Sequence, residues 1–308
     1  MTPEEIAPEV HRLCIGGFVN VYLAGNADGW VLIDTGIAGQ FEYIKDAAEQ
    51  VFGIGARPEA ILLTHGHGDH VGSALALATY WDVPIYAHQM ELPYLTGKSD
   101  YPPNDPTAEG PLAFAMRFAP HMTHGVDFGG TVQALPEGGA VPGLGEAWHY
   151  IETPGHSAGH VSYWRAQDGV LIAGDAITTM PVDSVVGMLS GKTVLAGPPV
   201  SLTPDWYAAR KSLARIAELK PTVIACGHGE PVTGADASAR MIWLRNRFRV
   251  PEAGRYVPEP AEFDEQGVRY LPPAPFDTLP LVAGVLLSSV VVAVGFGAWM
   301  AKRKRDDA

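Results

Sequence analysis

Between residues 10 and 36 the chain passes through three short apolar bursts, VHRLCIG, FVNVYLAG and WVLIDTG, separated by glycines and by an Asp-Gly pair at 28–29. Bursts of this length, bounded by turn formers, predict strands joined by tight turns. Helical spacing follows over Gly39–Phe52, then a short buried strand, ILLTH (61–65). An Ala-rich apolar helix is predicted over Asp69–Trp81, and another strand over VPIYAH (83–88). Strand, helix, strand, helix and strand in that order imply an α/β layer. From Leu92 to about Pro120 the chain is dense in Pro, Tyr and Gly and reads as a long irregular insertion, of a kind that often forms a lid. Strands return at 148–155, 160–166 and 169–176. A helix starts at Thr203 or Pro204, with Asp205 in its first turn, and runs to about Leu219. PTVIACGHG (221–229) reads as strand then loop, and Ala235–Arg249 as a last helix. Two strand-rich halves with helices suit a sandwich of two sheets covered by helices.

The C-terminal pattern differs. Residues 251–278 are rich in proline and acidic side chains and read as a semi-rigid linker. Leu279–Ala301 holds 23 residues without a charge. A helix of that length spans about 34 Å, enough for a bilayer core. The expected layout is therefore a catalytic domain over 1–250, a linker over 251–278, a transmembrane helix over 279–301 and a charged tail over 302–308. The N-terminus, MTPEEIAPEV, has no apolar signal-peptide core. A basic cluster after the span favours a cytoplasmic C-terminus, whereas the missing signal peptide favours a cytoplasmic body. The expectation taken here is a membrane protein with a single C-terminal anchor and its catalytic domain in the cytoplasm.

Charge narrows the partners. The net charge is −13 over 308 residues, and the last seven carry +2, which leaves −15 on the rest. Such a body is a poor match for a phosphate backbone, so nucleic acid is not an expected partner. Cys14 and Cys226 stand in apolar, strand-like surroundings and read as buried free thiols. Sheet edges and the long insertion could support a homodimer.

Candidate chemistry concentrates in LLTHGHGDHVG (62–72). His65 and His67, two apart at a strand end, can face one point. Gly66 and Gly68 let the backbone turn, and Asp69 and His70 can then face a second point nearby. Imidazole with carboxylate suits zinc, and also iron or manganese. Three further segments repeat the form of apolar strand, small residue and ligand: TPGHSAGH (153–160) with His156, IAGDA (172–176) with Asp175, and ACGHGEP (225–231) with His228. His160 reads as a hydrogen-bonding turn residue. His88, His121, His124 and His149 lack paired spacing and read as structural or surface residues. Tyr94, Tyr101 and Phe114 could line a pocket or merely pack the insertion. Met180–Thr203 is expected to form another wall, and Arg245, Arg247 and Arg249 to lie on a solvated helix face.

With LIDTG around Asp34, THGHGDH, TPGHSAGH, AGD (173–175) and GHG (227–229) in that order, the chain resembles the metallo-β-lactamase fold superfamily over about residues 10–250. The resemblance implies an α+β fold, the four-layered αββα sandwich, with the site at one edge of the sheets. It implies that His65, His67 and His156 hold one metal, that Asp69, His70 and His228 hold the other, and that Asp175 bridges. Asp34 matches an aspartate that braces the site. Two divalent ions, zinc foremost, would lower the pKa of a bridging water, and the hydroxide would attack a carbonyl with Asp69 or a metal-bound water managing the proton.

Within the superfamily, β-lactamases proper do not use this bridging aspartate. Quorum-quenching lactonases usually carry a Tyr where this chain has Thr178. The expectation is a binuclear metallo-hydrolase cleaving an ester, thioester or lactone of a small molecule. The alternatives are a mononuclear iron enzyme resembling persulfide dioxygenases, and a binding or scaffold protein at a membrane.

Overall fold

The computed structural model describes residues 2–108, 110–111, 113, 124–180 and 193–274. Residues up to Pro272 form one compact unit and Pro273–Ala308 a second. The first sheet has seven strands in sequence order: β1 (Glu4–Ala7), β2 (Val10–Ile15), β3 (Val19–Asn26), β4 (Gly29–Ile33), β5 (Ala60–Leu62), β6 (Ile85–Ala87) and β7 (Val132–Ala134). The second sheet has five: β8 (Trp148–Glu152), β9 (Val161–Arg165), β10 (Val170–Gly174), β11 (Val223–Cys226) and β12 (Val232–Thr233), in the order β12-β11-β10-β9-β8. Pairing is antiparallel at β2–β3–β4 and parallel from β4 through β7, and β10 and β11 are likewise parallel.

The period-two pattern of the strands divides two cores rather than core from solvent. In β3, Val19, Val21 and Leu23 join an outer cluster, while Tyr22 and Ala24 face the space between the sheets. Val170 and Ile172 of β10 point into that same space, while Leu171 and Ala173 point outward. Both faces of each sheet are therefore covered, which is why these strands are almost wholly apolar. The first sheet's outer face is covered by α1 (Phe41–Phe52), through Ile44, Ala47 and Ala48. Past the one-turn α2 (Gly68–Val71), α3 (Ala74–Trp81) packs on the same face through Leu77, Ala78 and Trp81. A short α4 (Leu92–Leu95) opens the insertion. The second sheet is covered by α5 (Trp206–Leu219) and α6 (Ala237–Arg247), through Leu213, Ile216, Met241 and Leu244. Helix, sheet, sheet, helix is the four-layered αββα sandwich.

Several expectations need correction. The helix expected over 69–81 is broken at Gly72, whose N–H bonds Gly36 O at 2.8 Å and whose bare Cα admits the passing chain at Ile37–Ala38. Asp205 is a cap, not a first-turn residue: its carboxylate accepts from the N–H groups of Tyr207 (3.0 Å) and Ala208 (2.8 Å). Residues 251–272, expected as a linker, belong to the body. They include the hairpin β13 (Glu262–Asp264) and β14 (Gly267–Tyr270), and Tyr256 is 2% exposed against Trp206 and Ala261.

The transmembrane helix over 279–301, and with it the membrane anchor and the membrane localisation, is also corrected. Among the described residues no helix is long and apolar enough to cross a membrane. The longest of those named, α5, has 14 residues and carries Arg210, Lys211 and Arg215 on its open face. At about 1.5 Å per residue it reaches roughly 21 Å, short of a bilayer core. Residues 279–308 lie outside the described residues, as do Phe114, His121 and 181–192 of the expected wall.

Candidate metal centre

Most side chains of the candidate site leave the C-terminal ends of parallel strands, and His156 comes from the loop between the antiparallel β8 and β9. Asp34 follows β4, His65 and His67 follow β5, Asp175 follows β10 and His228 follows β11. The two sheets meet at this edge: Asn20 N–H donates to Gly227 O at 2.8 Å, and its side-chain amide donates to Cys226 O at 3.0 Å. Loops from separate halves of the sequence are thereby drawn to one place.

Three imidazoles form the first group. His65 Nε2 lies 3.1 Å from His67 Nδ1 and 3.2 Å from His156 Nε2, and the last two nitrogens lie 2.9 Å apart. The second group is Asp69, His70 and His228, with His228 Nε2 at 3.3 Å from Asp69 Oδ2 and His70 Nε2 at 3.9 Å from the same oxygen. Asp175 stands between them: its Oδ2 is 3.5 Å from His156 Nε2 and 3.3 Å from His228 Nε2, and its Oδ1 is 3.6 Å from His70 Nε2. All seven expected side chains are brought together.

The rings are aimed by their outer nitrogens. His70 Nδ1–H donates to Asp34 Oδ2 at 2.8 Å, and His228 Nδ1–H donates to Phe18 O at 2.8 Å. Each turns Nε2 inward, the arrangement that fixes the tautomer of a ligating histidine. Asp34 also accepts from Thr64 N–H and Thr64 Oγ1, both at 2.8 Å. It does so from a left-handed backbone, φ 58°, which an aspartate tolerates. Asp175 is placed by its N–H, which donates to His160 Nε2 at 2.9 Å. His160 thus acts within the turn and from behind the ligands. Gly227 supplies room, since a Cβ there would sit 2.7 Å from His70 Cε1 and strike Asp175.

The donor set fits divalent cations. Zinc–nitrogen bonds of about 2.0–2.1 Å in a tetrahedron separate neighbouring donors by roughly 3.3 Å, close to the imidazole spacings above. Buried His70 Nε2 and Asp175 Oδ1 face this space with no hydrogen-bond partner among the described residues. Burial, reinforced by neighbouring imidazoles, holds His65 and His156 well below the usual histidine range, and burial brings His67 down to about 4. Neutral imidazole is the form that ligates a metal. On the other side, burial opposes charge but is outweighed: Asp175 and Asp69 raise His228 to about 10, and Asp175, Asp69 and Asp34 raise His70 well above its usual range. That half of the centre is a field that favours positive charge, carried by protons or by a cation.

Other expected residues separate cleanly. Tyr101 packs its ring against His67 with centroids 4.5 Å apart, and Tyr94 stacks behind it at 4.1 Å. His88 stands beside Glu152 at 3.6 Å, His124 beside Asp100 at 3.3 Å, and Arg247 over the exposed ring of Trp243. Phe18, Glu91 and Tyr256 carried no sequence signal. They lie by the centre because of chain crossings that periodicity does not reveal.

Comparison with known proteins agrees with this geometry. The family model described as the metallo-beta-lactamase superfamily matches residues 14–228. The chain is 41% identical over 248 residues to the probable metallo-hydrolase YflN of Bacillus subtilis (strain 168), covering 79% of this chain and 92% of that protein. It is 31% identical over 215 residues to the probable metallo-hydrolase YybB of the same organism, covering 70% and 82%. The crystal structure of a metallo-beta-lactamase family protein from Thermus thermophilus superposes with a TM-score of 0.55 at 23% identity, covering 78% and 79%, a likeness of fold. The order of the ligand loops, the layered sandwich that presents them and the extent of the family match lead to one conclusion: the chain belongs to the metallo-beta-lactamase superfamily.

Proposed function

We propose that the protein is a binuclear metallo-hydrolase that cleaves an ester, thioester or lactone of a small molecule, with His65, His67 and His156 holding one cation, Asp69, His70 and His228 the other, and Asp175 shared. The observation that carries this reading is the position of Asp175, within 3.6 Å of ligand nitrogens from both groups. Divalent cations bound by these residues would supply Lewis acidity and lower the pKa of a bound water.

The chain's own residues do the rest. Asp34 and the Phe18 carbonyl keep two rings in one tautomer, so those ligands need no reorganisation. The side chain of Asp69 is 26% exposed, against 4% for Asp175. It is the more open of the two carboxylates, and among the chain's own groups it is the one we assign to take a proton from the attacking water and pass it to the leaving group. Phe18, 39% exposed and stacked on His228 with centroids 6.1 Å apart, offers an apolar face at the rim for the substrate's organic part. Buried Tyr101 closes the opposite side against His67. A side-chain nucleophile is not required, and burial pushes the Cys226 thiol far from its reactive range.

Elemental mass spectrometry on the full chain, purified without chelators, tests this reading. About two divalent ions per chain, with turnover on a panel of thioesters, lactones and aryl esters, is the expected result. A single iron per chain, with oxygen consumption on persulfides and no hydrolysis, would replace it.

A further inference from the structure

Glu91 is a fully buried acid, 0% exposed, at the end of the single turn Gln89–Glu91 that follows β6. Its Oε1 accepts from Ser157 Oγ and from Gly159 N–H, each at 2.7 Å. Its Oε2 accepts from Gly66 N–H at 3.0 Å and from the Tyr101 hydroxyl. All four partners donate, which suits a carboxylate and no other side chain of that size. Burying an acid is costly unless its acceptor sites are filled, so an acid retained here needs a reason beyond packing.

The partners supply it. Gly66 lies between His65 and His67, Ser157 follows His156, and the Tyr101 ring packs on His67. One carboxylate therefore joins the two loops that carry the three imidazoles of the first group, and joins both to the insertion. The approach is close: a Cβ on Gly159 would sit 2.8 Å from Glu91 N and 2.9 Å from its Cγ, and a Cβ on Gly66 would sit 2.8 Å from Leu95 Cδ2 and strike the Tyr101 hydroxyl. The glycines flanking the ligands give the carboxylate its access.

We propose that Glu91 is a positioning residue for the first metal: through Gly66, Ser157, Gly159 and Tyr101 it fixes the spacing between the His65–His67 loop and the His156 loop. This rests on the metal-centre reading above, and no ligand touches the ion through Glu91 itself. Outer groups that orient ligands typically contribute about 10- to 100-fold in metal affinity. Tyr101→Phe removes one of the four donors and keeps the ring, so its effect is smaller, roughly 5-fold for one hydrogen bond of about 1 kcal/mol.

The test is cobalt(II) titration of the chelator-stripped full chain, with affinities from competition against a chromogenic chelator and visible spectra at each equivalent. In Glu91→Gln an amide N–H₂ must face donors. One binding step is expected to weaken about 10- to 100-fold with an altered band shape, while the other keeps its wild-type affinity and spectrum. A residue that only stabilised the fold would lower the melting temperature and leave the spectra of the folded protein unchanged, which would overturn the proposal. If Glu91→Gln does not fold, Tyr101→Phe decides: a weakened first step supports the proposal and a wild-type titration overturns it. If the wild-type chain takes up no cobalt, the metal-centre reading falls and this inference with it. If the wild type binds two ions and the variant matches it, this inference alone falls.

Discussion

His70 Nδ1 and Asp34 Oδ2 lie 2.8 Å apart, and that one bond decides which nitrogen His70 offers to the metal centre. The same carboxylate takes both polar hydrogens of Thr64, the residue before His65. Asp34 therefore orients one ligand of the second group and the loop that carries the first.

Asp34→Asn tests this coupling. Asparagine tolerates the left-handed backbone at this position, so the change acts on the hydrogen bonds and not on φ. Its amide cannot accept at both ends, and either Thr64 or His70 loses its partner. Metal affinity is expected to fall about 10- to 100-fold with a nearly unchanged melting temperature for the metal-free protein. Chelator competition together with calorimetry measures both quantities.

His67→Ala and Asp175→Ala should both abolish turnover while leaving most of the fold, but they should differ in metal content. His67 belongs to the first group alone, whereas Asp175 contacts ligands of both. His67→Ala is expected to keep about one ion per chain and Asp175→Ala to weaken both. Equal metal content in the two variants would remove Asp175 from its shared position.

Much of this site was legible in the sequence because its ligands lie in short segments. His65, His67, Asp69 and His70 fall within six residues, and each distant partner stands at the end of an apolar run beside a glycine. Strand ends and glycines are local features, so the pattern survives without knowledge of the fold. The four layers were legible for a related reason: strands covered on both faces are apolar throughout. Residues 251–272 were misread because Pro and acid content resembles a linker. What holds them is long-range, such as Tyr256 OH donating to Pro103 O at 2.6 Å across 153 residues. Glu91 was missed for the same reason, since its partners lie 10 to 68 residues away.

The two groups titrate in opposite directions, which gives the metal-free protein a stability maximum. His67 has a folded pKa of about 4, below its ordinary 6.5. Between those values the unfolded chain binds the proton and the folded chain does not, so stability falls as pH drops from about 6.5 to 4. His228 is raised to about 10. Its contribution is fully present below about 6.5 and is lost as pH rises toward 10. Melting temperatures of the chelator-stripped protein should therefore peak near neutral pH. Saturation with metal should flatten the alkaline decline, because the cation takes the place of the protons. A His228→Asn variant should show a shallower decline without metal, the rest belonging to His70, which the same carboxylates also raise; an unchanged alkaline slope would exclude His228 as a source.

The segment from Val250 to Pro272 holds the insertion against the metal centre. Tyr256 is buried with Trp206 and Ala261, donates to Pro103 O, and lines a small cavity that also includes His67, His156, Tyr101 and Ser201. Next to it the Arg255 N–H bonds Asp105, and Val268 N–H bonds Ser99 Oγ at 3.3 Å. A mere linker would tolerate alanine at 256. A buried aromatic truncated to alanine costs about 3–5 kcal/mol, so Tyr256→Ala is expected to lower the unfolding free energy measured by urea denaturation by that amount. Tyr256→Phe keeps the ring and leaves the Pro103 carbonyl without its donor, at about 1 kcal/mol. Because Pro103 lies two residues beyond Tyr101, the alanine variant should also raise KM more than it lowers kcat, through a looser wall beside His67. Wild-type stability in Tyr256→Ala would return this segment to the status of a spacer.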